Sequence, residues 1–143
     1  MNKILSYKGL LADGGQDTIL LSTKKGEKGY RIKTFRLMPI DPDEDIESTA
    51  QLFSIEQSSV TASIDFSNNR LLGAGIIRGG TGVSQPLTEI TIFDQIIFNQ
   101  DIFVTLKGAS YARSVNYYLE LEVLSLNEME ATVATLKDIR NND

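Results

Sequence analysis

Strand-length segments that alternate apolar and polar residues, separated by turn residues, occupy most of this 143-residue sequence. The alternation is clearest over residues 117–124 and 102–106, where apolar side chains fall at every second position. Side chains two apart on a β-strand share one face, so this spacing predicts strands with one face in a core.

About eight such segments are punctuated by Gly, Pro, Asn and Asp. Nine segments carry the pattern, from which we expect about eight strands, and they cover residues 3–12, 18–22, 30–38, 51–56, 60–66, 70–77, 90–98, 102–108 and 117–124. Imperfect alternation in the third of them predicts a β-bulge. Strands do not alternate with long helices, so the pattern favours an antiparallel β-sandwich. A jelly roll is the specific expectation, and an immunoglobulin-like sandwich without its disulfide is the alternative.

The periodicity changes after residue 126. Asn127 is a candidate N-cap with Glu130 three residues later, and a helical apolar stripe accompanies them. The stripe consists of Leu126, Met129, Val133, Leu136 and Ile139. We therefore expect a sandwich domain over residues 1–126 and a short amphipathic helix with its tail over residues 127–143. A helix of about 13 residues is marginal alone in water, so it needs a surface on its own sandwich or on a neighbouring subunit. We favour the neighbour, in which case deleting residues 127–143 abolishes assembly.

The sequence contains neither histidine nor cysteine. Disulfides, zinc–thiolate sites, thiol nucleophiles and a Ser-His-Asp triad are therefore excluded within this chain. Histidine is also the usual general base near neutral pH and a common metal ligand. We expect a protein that is not an enzyme and carries no cofactor.

The net charge of −5 opposes binding to nucleic acid, which depends largely on neutralising phosphates. No run approaches the roughly 20 apolar residues that span a bilayer, and the amino terminus does not resemble a signal peptide. We expect a soluble protein that is made in the cytoplasm and has no membrane partner.

The acidic segment Asp41–Glu47 has five carboxylates in seven residues. Its spacing resembles the start of an EF-hand loop, which makes Asp41, Asp43, Asp45 and Glu47 a candidate Ca²⁺ site. However, Ile46 stands where that loop needs Gly, and Leu52 stands where it needs Glu. A solvated acidic loop without metal is the favoured interpretation.

A basic stretch precedes this segment and holds six of the 14 basic residues, Lys24, Lys25, Lys28, Arg31, Lys33 and Arg36. A charged edge strand that resists aggregation is one interpretation, and a nucleic-acid patch is another. The third is a contact between subunits, with this strand of one copy facing the acidic loop of another. The candidate assembly residues are Lys24, Lys25, Lys28, Arg31, Asp43, Glu44, Asp45, Met129, Val133 and Leu136.

Two further candidate sites lie near the carboxyl end. Glu120 and Glu122 share one strand face, but catalytic carboxylates of glycosidases flank a bond from two sides. Tyr111, Tyr117 and Tyr118 could form a platform for sugars or a subunit contact. A solvated sheet face is the default interpretation of the carboxylate pair.

The run Ile102–Ala109 leading into Val115–Val123 resembles the closing strands of single jelly-roll capsid proteins. The strand number, a late hairpin and the lack of Cys and His are also similar to small virion proteins of bacterial viruses. The resemblance implies a homo-oligomer, often a trimer or pentamer, that forms or decorates a capsid together with other virion proteins. We therefore expect a structural subunit located in the virion. The alternative is a carbohydrate- or receptor-binding β-sandwich.

Overall fold

The computed structural model describes residues 3–21 and 28–125, which fold into eight β-strands in two antiparallel sheets. The strands are β1 (Ile4–Leu11), β2 (Gln16–Ile19), β3 (Lys28–Pro39), β4 (Ile46–Phe53), β5 (Leu71–Gly80), β6 (Gln85–Phe93), β7 (Ile102–Gly108) and β8 (Val115–Ser125). One sheet has the order β1-β8-β3 and the other has the order β2-β7-β4-β5-β6. A short 3-10 turn, Thr81–Val83, joins β5 to β6. The prediction of an all-β chain with antiparallel sheets is confirmed.

β8 is the central strand of the three-stranded sheet and follows the predicted alternation. It pairs with β1 along one edge and with β3 along the other. Tyr117, Leu119 and Leu121 are buried, whereas Tyr118 faces outward. The predicted bulge is also present, because the register of β3 on β8 shifts between Ile32 and Thr34.

The five-stranded sheet contains a Greek-key arrangement. β4, β5 and β6 pair in succession, and β7 returns to lie on the other side of β4. This is the spatial order 4-1-2-3 that defines the motif. Between β6 and β7 the chain passes the edge of β3, where Tyr30 and Phe98 exchange backbone hydrogen bonds of 2.7 and 2.9 Å.

The main core lies between the two sheets and draws on both. Phe35 and Leu119 contribute from the three-stranded sheet, and Leu52 and Val104 contribute from the other. All four are fully buried. The two sheets therefore form a sandwich whose faces pack against each other.

Residues 60–66 were predicted as a strand, but the structure has no strand there. β4 already pairs with β5 and β7, so neither of its edges is free. The amide of Gln51 instead donates hydrogen bonds of 3.1 Å to the carbonyls of Thr61 and Ser63. The segment lies over the outer face of the five-stranded sheet. Its alternation of apolar and polar residues reflects packing against that face and not hydrogen-bonded pairing with a neighbouring strand.

Three further predictions need correction. The fourth strand was placed at residues 51–56, whereas β4 begins at Ile46, inside the acidic segment. The late hairpin is wrong, because β7 and β8 belong to different sheets. The predicted strand at residues 70–77 was too short, because β5 continues to Gly80. The predicted helix within residues 127–143 lies outside the described residues. In the part that is described, no helix is long and apolar enough to cross a membrane.

Replacing a core side chain should destabilise the sandwich strongly. We expect Phe35→Ala to lower the free energy of unfolding by about 3–5 kcal/mol, because Phe35 is fully buried between the sheets. The matched control is Phe66→Ala, since Phe66 is 70% exposed, and it should cost less than about 0.5 kcal/mol. Urea denaturation measures both, and equal losses would contradict the assigned core.

Candidate assembly surfaces

The outer face of the three-stranded sheet carries apolar side chains that no described part of the chain covers. We call this surface the groove face, and it consists of Lys8, Leu10, Arg36, Met38, Asn116 and Tyr118. These residues border a shallow groove of about 740 Å³. Leu10 is 54% exposed and Met38 is 67% exposed. Exposed apolar clusters of this kind mark contact sites for proteins or ligands.

Strand register places the groove-face residues in two rows. Leu10 and Met38 flank Asn116 in one row, because β1 and β3 pair with β8 at that position. Lys8 and Arg36 flank Tyr118 in the next row. Side chains opposite each other in an antiparallel ladder lie on one face, about 5 Å apart. The result is a patch with an aromatic ring at its centre and one charged group on each side.

Glu89 on β6 fixes one border of the groove face. Its carboxylate accepts hydrogen bonds from Arg36 Nε at 2.9 Å and from the backbone N–H of Leu37 at 2.5 Å. These bonds join the edge strand of the five-stranded sheet to β3 of the other sheet. Arg36 is thereby held beside Tyr118 with its charge already paired.

Glu120 and Glu122 each have a different partner, so they do not act as a pair. The hydroxyl of Tyr118 donates a 2.7 Å hydrogen bond to Glu120, and this bond, with a second from Thr34, lowers the pKa of the Glu120 carboxyl. Arg31 donates a 3.1 Å bond from Nε to Glu122. The geometry does not place two carboxyl groups on opposite sides of a substrate.

The three tyrosines considered as one platform lie in three different places. Tyr117 is buried and donates a 2.9 Å hydrogen bond to Asp17, and burial followed by this bond raises its pKa. Tyr111 lies in the β7–β8 connection, where its hydroxyl contacts the carbonyl of Gly82 at 3.2 Å. Tyr117 and Tyr118 both line the groove, but of these two only Tyr118 is exposed on the groove face.

The acidic segment is tied to its own chain. Asp45 accepts a 2.9 Å hydrogen bond from the N–H of Gly82, and its carbonyl accepts one of 2.8 Å from Arg113. Glu47 pairs with Arg78 on β5 at 2.9 Å. In the described part of the chain, no three acidic side chains are arranged to hold a metal ion. The structure thus gives Asp41, Asp43, Asp45 and Glu47 no shared centre for Ca²⁺.

The basic stretch also finds partners within the chain. Arg31 pairs with Glu122 on β8, and Arg36 pairs with Glu89 on β6. Lys28 and Asp43 are exposed, and Glu44 is half-buried. Lys24 and Lys25 lie outside the described residues. Contact between the basic strand of one copy and the acidic loop of another remains a prediction.

A second apolar surface lies on the outer face of the five-stranded sheet. We call it the isoleucine patch, and it consists of Ile76, Ile90 and Ile92. Ile76 lies directly opposite Ile90 across the β5–β6 ladder, and Ile92 follows two residues later on the same face. Their exposed fractions are 40%, 60% and 54% respectively. The patch therefore leaves three large β-branched side chains open to solvent.

A cleft of about 330 Å³ adjoins the isoleucine patch at the end of β6. Phe66, Ile92, Asp94 and Ile96 are among its lining residues. Phe66 is 70% exposed at its rim. Partial burial raises the pKa of the Asp94 carboxyl above its ordinary value.

Neither the groove face nor the isoleucine patch was among the candidate sites predicted from the sequence. The signal that identifies the groove face is a pair of consecutive apolar residues in a strand, such as Leu10-Leu11 or Leu37-Met38. Because neighbouring side chains point to opposite faces, one member of each pair must face outward. The predicted assembly residues Met129, Val133 and Leu136 lie outside the described residues.

Comparisons with known proteins identify no family. No family model matches the sequence, and no curated protein matches it. Among solved structures, the Drosophila NLP core, described for pentamer formation and histone binding, has 10% identity and a TM-score of 0.49 over 86% of this chain and 99% of that chain. The mitogen derived from Yersinia pseudotuberculosis has 13% identity and a TM-score of 0.35 over 85% of this chain and 86% of that chain.

A chain of Desmodium yellow mottle tymovirus has 10% identity and a TM-score of 0.38, over 87% of this chain and 82% of that chain. Structural neighbours thus include a viral protein at low identity. All three TM-scores lie below 0.5.

The partial burial of the Asp94 carboxyl in the cleft can be tested through the pH dependence of stability. Its raised pKa means that folding disfavours the charged form, so ionisation of Asp94 destabilises the native state as pH rises through that pKa. We expect Asp94→Asn to be more stable than the native protein at about pH 7, and the difference to vanish at low pH, where Asp94 is protonated in both states.

Asp65→Asn is the control of opposite sign. Hydrogen bonds from Ser67 lower the pKa of Asp65, so this change should be destabilising at neutral pH. Urea denaturation across the pH range measures both variants. A stability difference for Asp94→Asn that does not depend on pH would contradict the assignment.

Proposed function

We propose that this protein is a non-enzymatic structural subunit of a virus particle, a capsid or capsid-decoration protein that assembles with copies of itself through the groove face. The observation that carries the proposal is the row of exposed Leu10 and Met38 around Asn116, beside half-exposed Tyr118. A surface of this composition loses solvent-exposed apolar area when a second subunit covers it.

The strand order supports a jelly-roll subunit. The three-stranded order β1-β8-β3 faces a sheet that contains the order β2-β7-β4-β5, so the first strand pairs with the last, which is the centre of its sheet. Eight antiparallel strands arranged as Greek keys in two sheets are typical of a jelly roll. In this arrangement the outer face of the three-stranded sheet is available to neighbouring subunits, because the core uses only its inner face.

The residue types on the groove face support a protein contact. Tyrosine, methionine and arginine are enriched in the buried centre of interfaces, and tyrosine and arginine dominate the residues that carry binding energy. Arg36 reaches this surface with its charge paired by Glu89, which reduces the cost of burying it. We propose a homo-oligomer, a trimer or pentamer, located in the virion.

Light scattering of the purified protein tests this proposal. We expect the native chain to form a defined oligomer and Met38→Lys to weaken association by about 30-fold, which corresponds to roughly 2 kcal/mol, because it places an unpaired ammonium group in the contact. Met38 is 67% exposed in the single chain, so the variant should fold normally.

The matched control is Ile55→Lys, which adds the same charge at a 41% exposed apolar residue of the β4–β5 connection. It should leave the oligomer unchanged. Equal weakening by both variants, or a native protein that stays monomeric at every concentration, would exclude assembly through the groove face.

The half-exposed ring of Tyr118, beside Lys8 and Asn116 in an open groove, favours one second candidate. This candidate is a carbohydrate- or receptor-binding module, because aromatic rings pack on sugar faces while neighbouring polar groups fix their orientation. A monomer that binds glycans and loses that binding in Tyr118→Ala would support this candidate instead.

A further inference from the structure

One edge of β1 is open within the part of the chain that the structure describes. β1 pairs with β8 alone, and the N–H of Val123 donates a 2.8 Å hydrogen bond to the carbonyl of Lys3, just before β1. Alternate residues of an antiparallel strand direct their N–H and C=O groups to opposite edges, so the odd-numbered residues of β1 bond β8. We call the open side the β1 edge, and the residues that direct their backbone groups to it are Ile4, Ser6, Lys8 and Leu10.

The other strand edges that the structure describes are shorter or already in contact with a neighbour. The edge of β3 lies beside β6, where the N–H of Leu37 bonds the carboxylate of Glu89, and Tyr30 exchanges backbone hydrogen bonds with Phe98. β2 has four residues, whereas β1 has eight. An unpaired strand of this length is a template for another strand, because its free N–H and C=O groups already have the spacing of a ladder.

The outward side chains of the β1 edge form a self-complementary series. Ile4 and Leu10 at its two ends are 46% and 54% exposed, and two polar residues lie between them. A second copy, the partner, can align its β1 antiparallel to this one about Tyr7. Ile4 then lies opposite the partner's Leu10, and Ser6 lies opposite the partner's Lys8. All of these are hydrogen-bonded pairs, which together supply about eight backbone hydrogen bonds.

The neighbouring registers lose this match. A shift of two residues in one direction puts Lys8 opposite the partner's Lys8, and like charges directly opposite each other are destabilising. A shift of two residues in the other direction puts Ile4 opposite the partner's Lys8 and moves Leu10 past the start of the partner's β1. The register about Tyr7 is therefore the one that places apolar side chains against each other and keeps the two ammonium groups apart.

Charge on the adjacent strand favours a second copy as the occupant of the edge. Ser6 lies beside Glu120 in the β1–β8 ladder, so the partner's Lys8 would lie two strands from Glu120, at about 10 Å between backbones. The side chains of Lys8 and Glu120 are long enough to meet over the small Ser6. Within the described residues neither of them belongs to a salt bridge. A second copy therefore supplies a cation to this carboxylate as well as a strand to the edge.

We propose that two copies of this chain pair their β1 strands antiparallel about Tyr7, which joins the two three-stranded sheets into one sheet of six strands. The inference goes beyond the proposed function and does not rest on it. A two-fold contact uses the same strand of both copies, whereas a trimer or pentamer ring joins two different surfaces. Lys8 and Leu10 contribute side chains to the groove face, but their backbone groups face the β1 edge, and Met38 lies two strands away on β3.

The absence of cysteine from the native sequence allows a disulfide test of this register. The full-length single variants Ile4→Cys and Leu10→Cys would be mixed in a glutathione redox buffer, and disulfides would be identified by peptide mass spectrometry. Opposite residues of a hydrogen-bonded pair have Cα atoms about 5.5 Å apart, within the range that a disulfide spans. We expect the mixture to form linked dimers on the order of 10-fold faster than either variant alone, because two copies of one position lie about 20 Å apart along the paired strands.

The control mixture combines Ile4→Cys with Ile55→Cys, whose thiol replaces a 41% exposed apolar side chain of the β4–β5 connection. It should link no faster than Ile4→Cys alone. Equal rates in the two mixtures would show collision without pairing. Linking of Ile4→Cys alone at the rate of its mixture with Leu10→Cys would show a different contact. Either result overturns the proposal.

The variant Met38→Lys separates this contact from assembly through the groove face. Cysteine variants that also carry Met38→Lys should form the linked dimer at an unchanged rate, because the added charge lies on β3 and not on the β1 edge. The same rate is expected if the native protein does not assemble through the groove face at all. A link that is lost with Met38→Lys would arise from the groove face, and pairing through β1 would then be wrong.

Discussion

The rest of this structure depends on the central strand of each sheet, β8 in one and β4 in the other, each of which is paired on both edges. Their registers fix which side chains of every neighbouring strand face the core, because a shift of one residue would exchange the two faces. Leu119 and Leu52 are thereby fully buried between the sheets. The same registers force Met38 and Ile76 outward, so the exposed apolar surfaces are a direct consequence of the core.

Much of the fold is predictable from local patterns, and the errors have identifiable causes. The alternation in β7 and β8 locates those strands because buried side chains repeat every second residue. The same alternation in residues 60–66 is misleading, since it reports contact with a sheet and not pairing. For Ile90 and Ile92 it shows that they share a face but not which face. Glu89 points towards β3 and bonds Arg36, so the isoleucines face solvent.

The candidate sites were harder to predict because they depend on contacts between distant residues. The charged residues chosen from sequence largely pair within the chain, as Arg31 does with Glu122 and Glu47 does with Arg78. Cross-strand pairs like these satisfy charges locally and are worth little in stability at the surface. The apolar side chains that remain exposed carry the larger driving force for association.

Oxidation of Met38 by hydrogen peroxide, followed by mass spectrometry as the protein is concentrated, tests assembly through the groove face most directly. Methionine oxidises at a rate that follows its accessibility, and Met38 is 67% exposed in the single chain. Assembly predicts that oxidation of Met38 slows as concentration rises and recovers on dilution. A constant rate across concentrations at which light scattering shows an oligomer would contradict the assignment of the groove face.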